Sequence, residues 1–200
     1  FSLISFLETI STRVDILMSS FLTTPDQVGI YAVGSKLAYQ GVIFRNLVGT
    51  AFFPTTVKFY KDNKINLRII MNYIIFSILF FALTFLIVYN YSKIIITTIF
   101  GNEFEESHIF FNVLFLYLIS VWLIFPIELI FNSIGYEIYI LKMRAIGAFL
   151  NVPLNYILFI NFGLIGIAYS TVLVYTLMFL FIFYKFIKVS KVYNNVDLGD

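Results

Sequence analysis

Apolar segments long enough to cross a lipid bilayer recur six times along the 200-residue sequence. A membrane helix needs about 20 mostly apolar residues to cross the hydrocarbon layer. Turn-forming residues separate the segments, and the connections are too short to hold a soluble domain. The segments lie at about 2–22, 28–52, 69–90, 109–131, 138–160 and 164–184. The sequence therefore predicts an all-α integral membrane protein with six transmembrane helices over residues 1–187, followed by a polar tail at 188–200.

The composition agrees with this class. Hydrophobic residues make up 60% of the chain and charged residues 12%, whereas soluble domains contain about 25% charged residues. The sequence has no cysteine, which excludes a disulfide framework, a cysteine-ligated metal site and a cysteine nucleophile. The net charge of +2 gives no basis for a nucleic-acid partner.

The distribution of lysine and arginine predicts the orientation in the membrane. Nine basic residues fall in three places that share one side if six helices alternate, and Lys93 is on the other side. The nine are Lys58, Lys61, Lys64, Arg68, Lys142, Arg144, Lys185, Lys188 and Lys191. Cytoplasmic loops are enriched in lysine and arginine. We therefore expect the basic side and both ends of the sequence to be cytoplasmic, in a multi-pass membrane protein.

The first segment carries three charges, Glu8, Arg13 and Asp15. Each costs about 2.5–3.5 kcal/mol at the centre of a membrane helix, so the helix needs partner helices or a watery cavity. Glu8, Asp15 and three hydroxyl residues fall within an arc of about 80°, and Arg13 lies beside that arc. The hydroxyl residues are Ser5, Thr12 and Ser19. The stripe is either one wall of a transport cavity or a packed polar seam between helices.

The second segment contains two further cations. Lys36 and Gln40 are four residues apart and share a helix face. Lys36 is a candidate partner for Glu8 or Asp15, or for an anionic ligand. Arg45 falls on the opposite side, near a span end, where it can bind at a cavity or extend its guanidinium to the membrane surface.

Glu128 and Asn132 lie four residues apart near the end of the fourth segment, just after Pro126. A proline inside a membrane helix produces a kink and frees a backbone carbonyl. The pair is therefore either part of a gate or an interfacial carboxylate exposed to water.

Asn151 and Asn155 flank Pro153 in the fifth segment. They form either a polar, bent binding site or hydrogen bonds to neighbouring helices. His108 is the only histidine, and one histidine does not make a metal site. We therefore expect no metal and no cofactor.

Several motifs occur in an order and spacing that covers nearly the whole chain. They are Arg13-x-Asp15, the run VGIYAVGSKL at 28–37, Phe53-Pro54, the run IFGNEF at 99–104, Asn151-x-x-x-Asn155, and GLIG at 163–166. In this pattern the chain resembles the Wzx-type polysaccharide-export flippases, which share a superfamily with the MATE drug exporters and the lipid II flippase. The resemblance implies the C-terminal six-helix lobe of a two-lobe transporter, whose N-terminal lobe is absent from this sequence.

The resemblance also implies a function. Such a flippase moves an undecaprenyl-pyrophosphate-linked oligosaccharide across the cytoplasmic membrane for O-antigen and lipopolysaccharide biosynthesis. By this resemblance Arg13 and Lys36 pair with the pyrophosphate, and Glu8 or Asp15 neutralises those cations or binds a coupling H⁺ or Na⁺. The cavity also includes Thr12 and Gln40.

Other functions remain open at this stage. A MATE-like exporter of small organic cations would use the carboxylates, not the cations, as ligand groups. A membrane-embedded enzyme needs clustered catalytic side chains in a sizeable loop, which this sequence lacks, so we expect no enzymatic activity. A purely structural membrane subunit is the remaining alternative.

Overall fold

A computed structural model describes residues 13–61 and 67–196, with side chains for 13–45, 68 and 70–192. These residues are helical almost throughout and contain no strand, which confirms the predicted all-α class. Helix α1 covers 13–22 in the described part of the chain. It is followed by α2 (Pro25–Lys61), α3 (Leu67–Phe100), a 3-10 turn (Asn102–Phe104), α4 (Ser107–Ser133), α5 (Glu137–Phe162) and α6 (Leu164–Val196).

Glycine residues form the turns that end α3, α4 and α5. Gly101, Gly135 and Gly163 have φ angles of 102°, 79° and 68°. Residues with a β-carbon rarely adopt these positive values, because the side chain collides with the backbone. Glycine is therefore favoured at these three turns for a steric reason.

Four helices are long and apolar enough to cross a membrane, and they correspond to the predicted third to sixth spans. They are Ile70–Phe100, Ser107–Ser133, Glu137–Phe162 and Leu164–Val192. This confirms a multi-pass, membrane-embedded protein. The first predicted span lies largely outside the described residues, and α2 is not among the four. Six spans and a MATE-like lobe therefore stay predictions.

Helix α4 lies at the centre of the described bundle. It is the most buried of the four spans and packs against α2, α3 and α6, while α5 packs mainly on α6. One apolar cluster surrounds the first half of α4, with Tyr31 and Leu114 fully buried. A second surrounds its last turns, with Phe131 and Phe186 fully buried. Helices α3 and α5 expose most of their surface, as helices facing lipid do.

Candidate functional site

The carboxylate of Asp15 is fully buried and accepts four side-chain hydrogen bonds. Thr171 Oγ1 donates at 2.6 Å and Asn155 Nδ2 at 2.9 Å. The hydroxyls of Tyr39 and Tyr31 donate at 3.0 and 3.5 Å. We call these five residues the Asp15 cluster. Its members come from α1, α2, α5 and α6, so one carboxylate joins four helices.

The orientation of the Asn155 amide is fixed by a neighbour. Ser170 donates a hydrogen bond to Asn155 Oδ1, which leaves Nδ2 facing Asp15. Asn155 and Thr171 lie seven residues from Phe162 and Leu164, the residues that flank the α5–α6 turn. At 1.5 Å per residue this is about 10 Å inside the helix ends. The Asp15 cluster therefore lies within the span, not at its surface.

Helix α5 has a polar buried face and an apolar exposed one. Its buried residues are Ile140, Arg144, Gly147, Asn151 and Asn155. They recur every three or four residues, so they form one stripe along the helix. This stripe runs from the Asp15 cluster at one end to a second polar pair at the other.

That second pair is a buried ion pair between α4 and α5. Arg144 Nη2 lies 2.9 Å from Glu128 Oε2 and 3.2 Å from Glu128 Oε1. Glu128 is 8% exposed, so it is not the water-exposed carboxylate of the sequence interpretation. Arg144 is counted above with the basic residues of the cytoplasmic side, but it lies inside α5 and is 5% exposed. The sequence does contain a signal for this position. Arg144 lies seven residues before Asn151 and eleven before Asn155, a spacing that places all three on one helix face.

Asn151 lies between these two polar sites on the same stripe. It is 1% exposed, and neither its Oδ1 nor its Nδ2 has a hydrogen-bond partner among the described residues. Pro153, two residues further on, lacks an amide hydrogen, so the carbonyl of Phe149 loses its helical donor. The middle of the stripe therefore contains polar groups that can bind water or a small ion.

The predicted cations of the first two segments lie elsewhere. Arg13, Lys36 and Gln40 are all exposed, and neither cation forms an ion pair with Asp15 in the described part of the chain. Glu8 and Thr12 lie outside the described residues. Of the candidates on α1 and α2 up to Gln40, the structure therefore buries Asp15 and exposes Arg13, Lys36 and Gln40.

Arg45 and Asn132 complete the predicted candidates. Arg45 is 5% exposed, and its guanidinium carbon lies 5.5 Å from the centroid of the Phe125 ring, in a cation–π geometry. It therefore packs into the bundle through Phe125 and does not reach into water. Asn132 is half-buried near the end of α4, where its Oδ1 has no hydrogen-bond partner among the described residues.

Arg13 and Lys36 lie at about the depth of Asp15. Tyr31 and Tyr39 both reach Asp15 from α2, and Lys36 is between them in sequence. Arg13 is two residues from Asp15, which corresponds to about 3 Å along the helix axis. Two exposed cations therefore flank the level of the buried carboxylate.

No family model matches the chain, and no curated protein or solved structure matches it significantly. Among the residues whose side chains the structure describes (13–45, 68 and 70–192), no group of three or more histidine, aspartate or glutamate side chains could hold a metal ion.

Proposed function

We propose that the chain is a lobe of a membrane flippase that moves an undecaprenyl-pyrophosphate-linked oligosaccharide across the cytoplasmic membrane for surface polysaccharide biosynthesis. The observation that carries this proposal is a pair of exposed cations, Arg13 and Lys36, at the level of a buried carboxylate. The carboxylates of Asp15 and Glu128 are buried and hydrogen-bonded, and the cations Arg45 and Arg144 are buried as well.

The exposed cations favour an anionic ligand. A charge well inside a span is stable only where it faces a protein partner or a water-filled cavity. The carboxylates of Asp15 and Glu128 already accept hydrogen bonds from other side chains. They therefore do not neutralise Arg13 or Lys36. A pyrophosphate supplies the compensating charge, and charge-assisted hydrogen bonds to guanidinium and ammonium groups would hold it.

The Asp15 cluster supports ion coupling. The coupling ion we propose there is H⁺ or Na⁺, and the ligands offered are oxygen atoms. Asp15 contributes two, and the hydroxyls of Thr171 and Tyr39 contribute lone pairs when their hydrogens turn away. Because the cluster joins four helices, occupancy by a cation would change the force between those helices. This is the type of linkage that alternating access in a two-lobe transporter requires.

A MATE-like exporter of small organic cations is the weaker candidate. It needs a carboxylate that an organic cation can reach. Asp15 is fully buried and accepts four hydrogen bonds, and Glu128 is paired with Arg144. In that function Glu8 would have to be the ligand group.

The test compares variants that remove a positive charge with variants that keep it. The measurement is the amount of surface polysaccharide in cells that depend on the complete protein for its export. We expect Arg13→Gln and Lys36→Gln each to lower surface polysaccharide by at least about tenfold, the effect of losing one charge-assisted contact. Arg13→Lys and Lys36→Arg should retain most of it. Lys93→Gln is the matched control, because Lys93 pairs with Glu105 at a helix end.

The flippase and the exporter of organic cations predict opposite results for these variants. The flippase proposal fails if the glutamine variants export polysaccharide normally and Glu8→Gln abolishes resistance to a cationic dye. Accumulation of the undecaprenyl-linked intermediate in the inner leaflet of the Lys36→Gln strain would support it directly.

A further inference from the structure

Lysine and tyrosine side chains meet at the end of the bundle that contains the α4–α5 turn. Lys185 Nζ lies 5.6 Å from the centroid of the Tyr136 ring and 5.8 Å from that of Tyr139. Lys188 Nζ lies 4.6 Å from the centroid of the Tyr184 ring. We call these five residues the lysine–tyrosine cluster. It joins the turn, the first helical turn of α5 and the last part of α6.

The cluster rests on a fixed aromatic base. The Phe131 ring centroid is 5.4 Å from that of Tyr136, 5.9 Å from that of Tyr139 and 6.0 Å from that of Phe186. Phe131 and Phe186 are fully buried. The Tyr139 hydroxyl donates to the backbone carbonyl of Phe181 at 3.2 Å. The rings of Tyr136 and Tyr139 are therefore held in place before any ligand arrives.

The two ends of the bundle differ in charge. The opposite end, at the α3–α4 junction, contains Glu103, Glu105 and Glu106, with Lys93 paired to Glu105. The end with the lysine–tyrosine cluster also contains the exposed residues Lys142 and Lys191, and among the described residues of the α4–α5 turn and the first turn of α5 the acidic one is Glu137. Tyrosine rings favour the headgroup level of a membrane, and lysines there extend toward anionic groups.

An exposed apolar stripe of α6 leads from this cluster toward the membrane interior. Its members recur at helical spacing on the lipid-facing side of α6, below Tyr184. They are Leu173, Leu177, Leu180 and Phe181, which are 42%, 37%, 53% and 58% exposed. A headgroup at Lys188 would therefore have a surface beside it for its acyl chains.

We propose that the lysine–tyrosine cluster binds the phosphate of an anionic phospholipid, whose acyl chains lie along the exposed stripe of α6. Lys185 and Lys188 supply the positive charge, and the tyrosine rings position the ammonium groups by cation–π attraction. Free phosphate offers the same charge, but it would make no use of the apolar stripe. This site is independent of the transported substrate.

Native mass spectrometry of the complete, delipidated protein tests the proposal. The probes are dioctanoyl phosphatidylglycerol, dioctanoyl phosphatidylcholine and inorganic phosphate. We expect the wild-type protein to retain the phosphatidylglycerol in clear preference to the phosphatidylcholine. Each lysine near an anionic lipid contributes about fivefold in affinity, so Lys185→Gln with Lys188→Gln should weaken retention by about 25-fold.

Two control variants test whether the loss of phosphatidylglycerol binding comes from the positive charge of the lysine–tyrosine cluster. Lys93→Gln removes a lysine at the opposite end and should leave phosphatidylglycerol binding unchanged. Lys188→Arg keeps the charge and should also retain it. If the double variant does not fold, the preference of the wild-type protein for phosphatidylglycerol over phosphatidylcholine still tests the proposal.

Three results would overturn the proposal. The first is equal retention of the two lipids by the wild-type protein. The second is a folded double variant that binds phosphatidylglycerol within twofold of wild type, or a Lys93→Gln variant that loses as much phosphatidylglycerol binding as the double variant does. The third is displacement of the lipid by millimolar inorganic phosphate, which would make the cluster a free-phosphate site.

Discussion

Asp15 shows how a carboxylate can be buried in a helical bundle without a counter-ion among the described residues. Its carboxylate takes donors from two tyrosines, a threonine and an asparagine, and each donor is itself buried or partly buried. In such a network each donor needs the carboxylate as its acceptor, and the carboxylate needs its donors. Removal of either side leaves polar groups unpaired away from water, which costs about 1–3 kcal/mol per group.

Thr171 is the residue where this dependence can be measured most simply. Thr171→Val keeps the shape of the side chain but removes the 2.6 Å hydrogen bond to Asp15. We expect it to lower the free energy of unfolding by about 1–3 kcal/mol, because the carboxylate loses a donor it cannot replace. Reversible unfolding in detergent micelles provides the measurement.

Thr97→Val is the matched control for this substitution. The Thr97 hydroxyl bonds to carbonyls of its own helix, at 3.1 Å to Lys93 and 3.2 Å to Ile94. Its replacement should change stability by less than about 0.5 kcal/mol. Equal effects at the two positions would mean that the Asp15 cluster contributes nothing specific to stability.

The ion pair between Glu128 and Arg144 allows a double-mutant cycle. Glu128→Gln and Arg144→Met each leave one buried charge without its partner and should destabilise the protein by about 3–5 kcal/mol. The double variant should recover much of that loss, since it buries no charge at all. Additive losses in the double variant would contradict a direct pairing of the two groups in the folded protein.

Some of these residues could be identified from the sequence and others could not. Asp15 was evident because a carboxylate in an apolar segment is costly and therefore rare. Thr171, Tyr31 and Tyr39 gave no signal, since threonine and tyrosine are common in membrane helices for other reasons. Arg144 was misplaced because basic residues near a turn are normally counted as loop residues, and only the three-dimensional pairing with Glu128 shows otherwise.

At the scale of the elements, the backbones of α2 and α4 approach each other closely at Gly34. A β-carbon at Gly34 would lie 2.5 Å from the backbone carbonyl oxygen of Ser107 and 3.0 Å from Phe110 Cβ. Gly34→Ala would therefore push the start of α4 away from α2. We expect a destabilisation of about 1–3 kcal/mol, the usual cost of an overpacked contact, measured by unfolding in micelles.

Gly29 on the same helix is the control for this prediction. A β-carbon there would lie 3.9 Å from its nearest neighbour, a carbon of the Phe104 ring, which is an ordinary contact. Because alanine favours the helix over glycine, Gly29→Ala should stabilise the protein by up to about 1 kcal/mol. Effects of the same sign at Gly34 and Gly29 would contradict the close approach of α2 and α4.

The turns and the last four spans were predictable because they depend on local sequence. Gly101, Gly135 and Gly163 each break an apolar run, and a positive φ requires them there. The lengths of the helices were less predictable. Helix α3 continues to Phe100, ten residues beyond the predicted end of its span, and α6 continues to Val196. Hydropathy marks the part of a helix that lies in hydrocarbon, and the hydrogen-bonded helix can extend beyond it.

At the scale of the whole molecule, the acidic and basic ends predict an orientation that labelling can test. Because these 200 residues contain no cysteine, a single cysteine introduced here is labelled without background from this part of the protein. Under the enrichment of lysine at the cytoplasmic face, Asn102→Cys should react with a membrane-impermeant maleimide in intact cells. Lys191→Cys should react only after the membrane is permeabilised.

Gly135→Cys is avoided as a probe, because its positive φ would add strain to the turn. Glu103→Cys is a suitable repeat of the Asn102 position, since the two residues share one short turn. Labelling of the residue 191 cysteine in intact cells would reverse the predicted orientation. Labelling of both ends in intact cells would contradict an odd number of crossings between them.

The polar buried face of α5 has a consequence for how the protein is made. Of the four spans, α5 is the least apolar, and its buried face packs mainly on α6, where Ser170 bonds to Asn155, while Arg144 pairs with Glu128 of α4. Only Gly163 separates α5 from α6. During synthesis, α5 would therefore leave the translocon together with α6 as a helical hairpin. Premature termination between these two helices should then yield a nascent chain that quality-control proteases degrade, whereas termination after α6 should yield an inserted one.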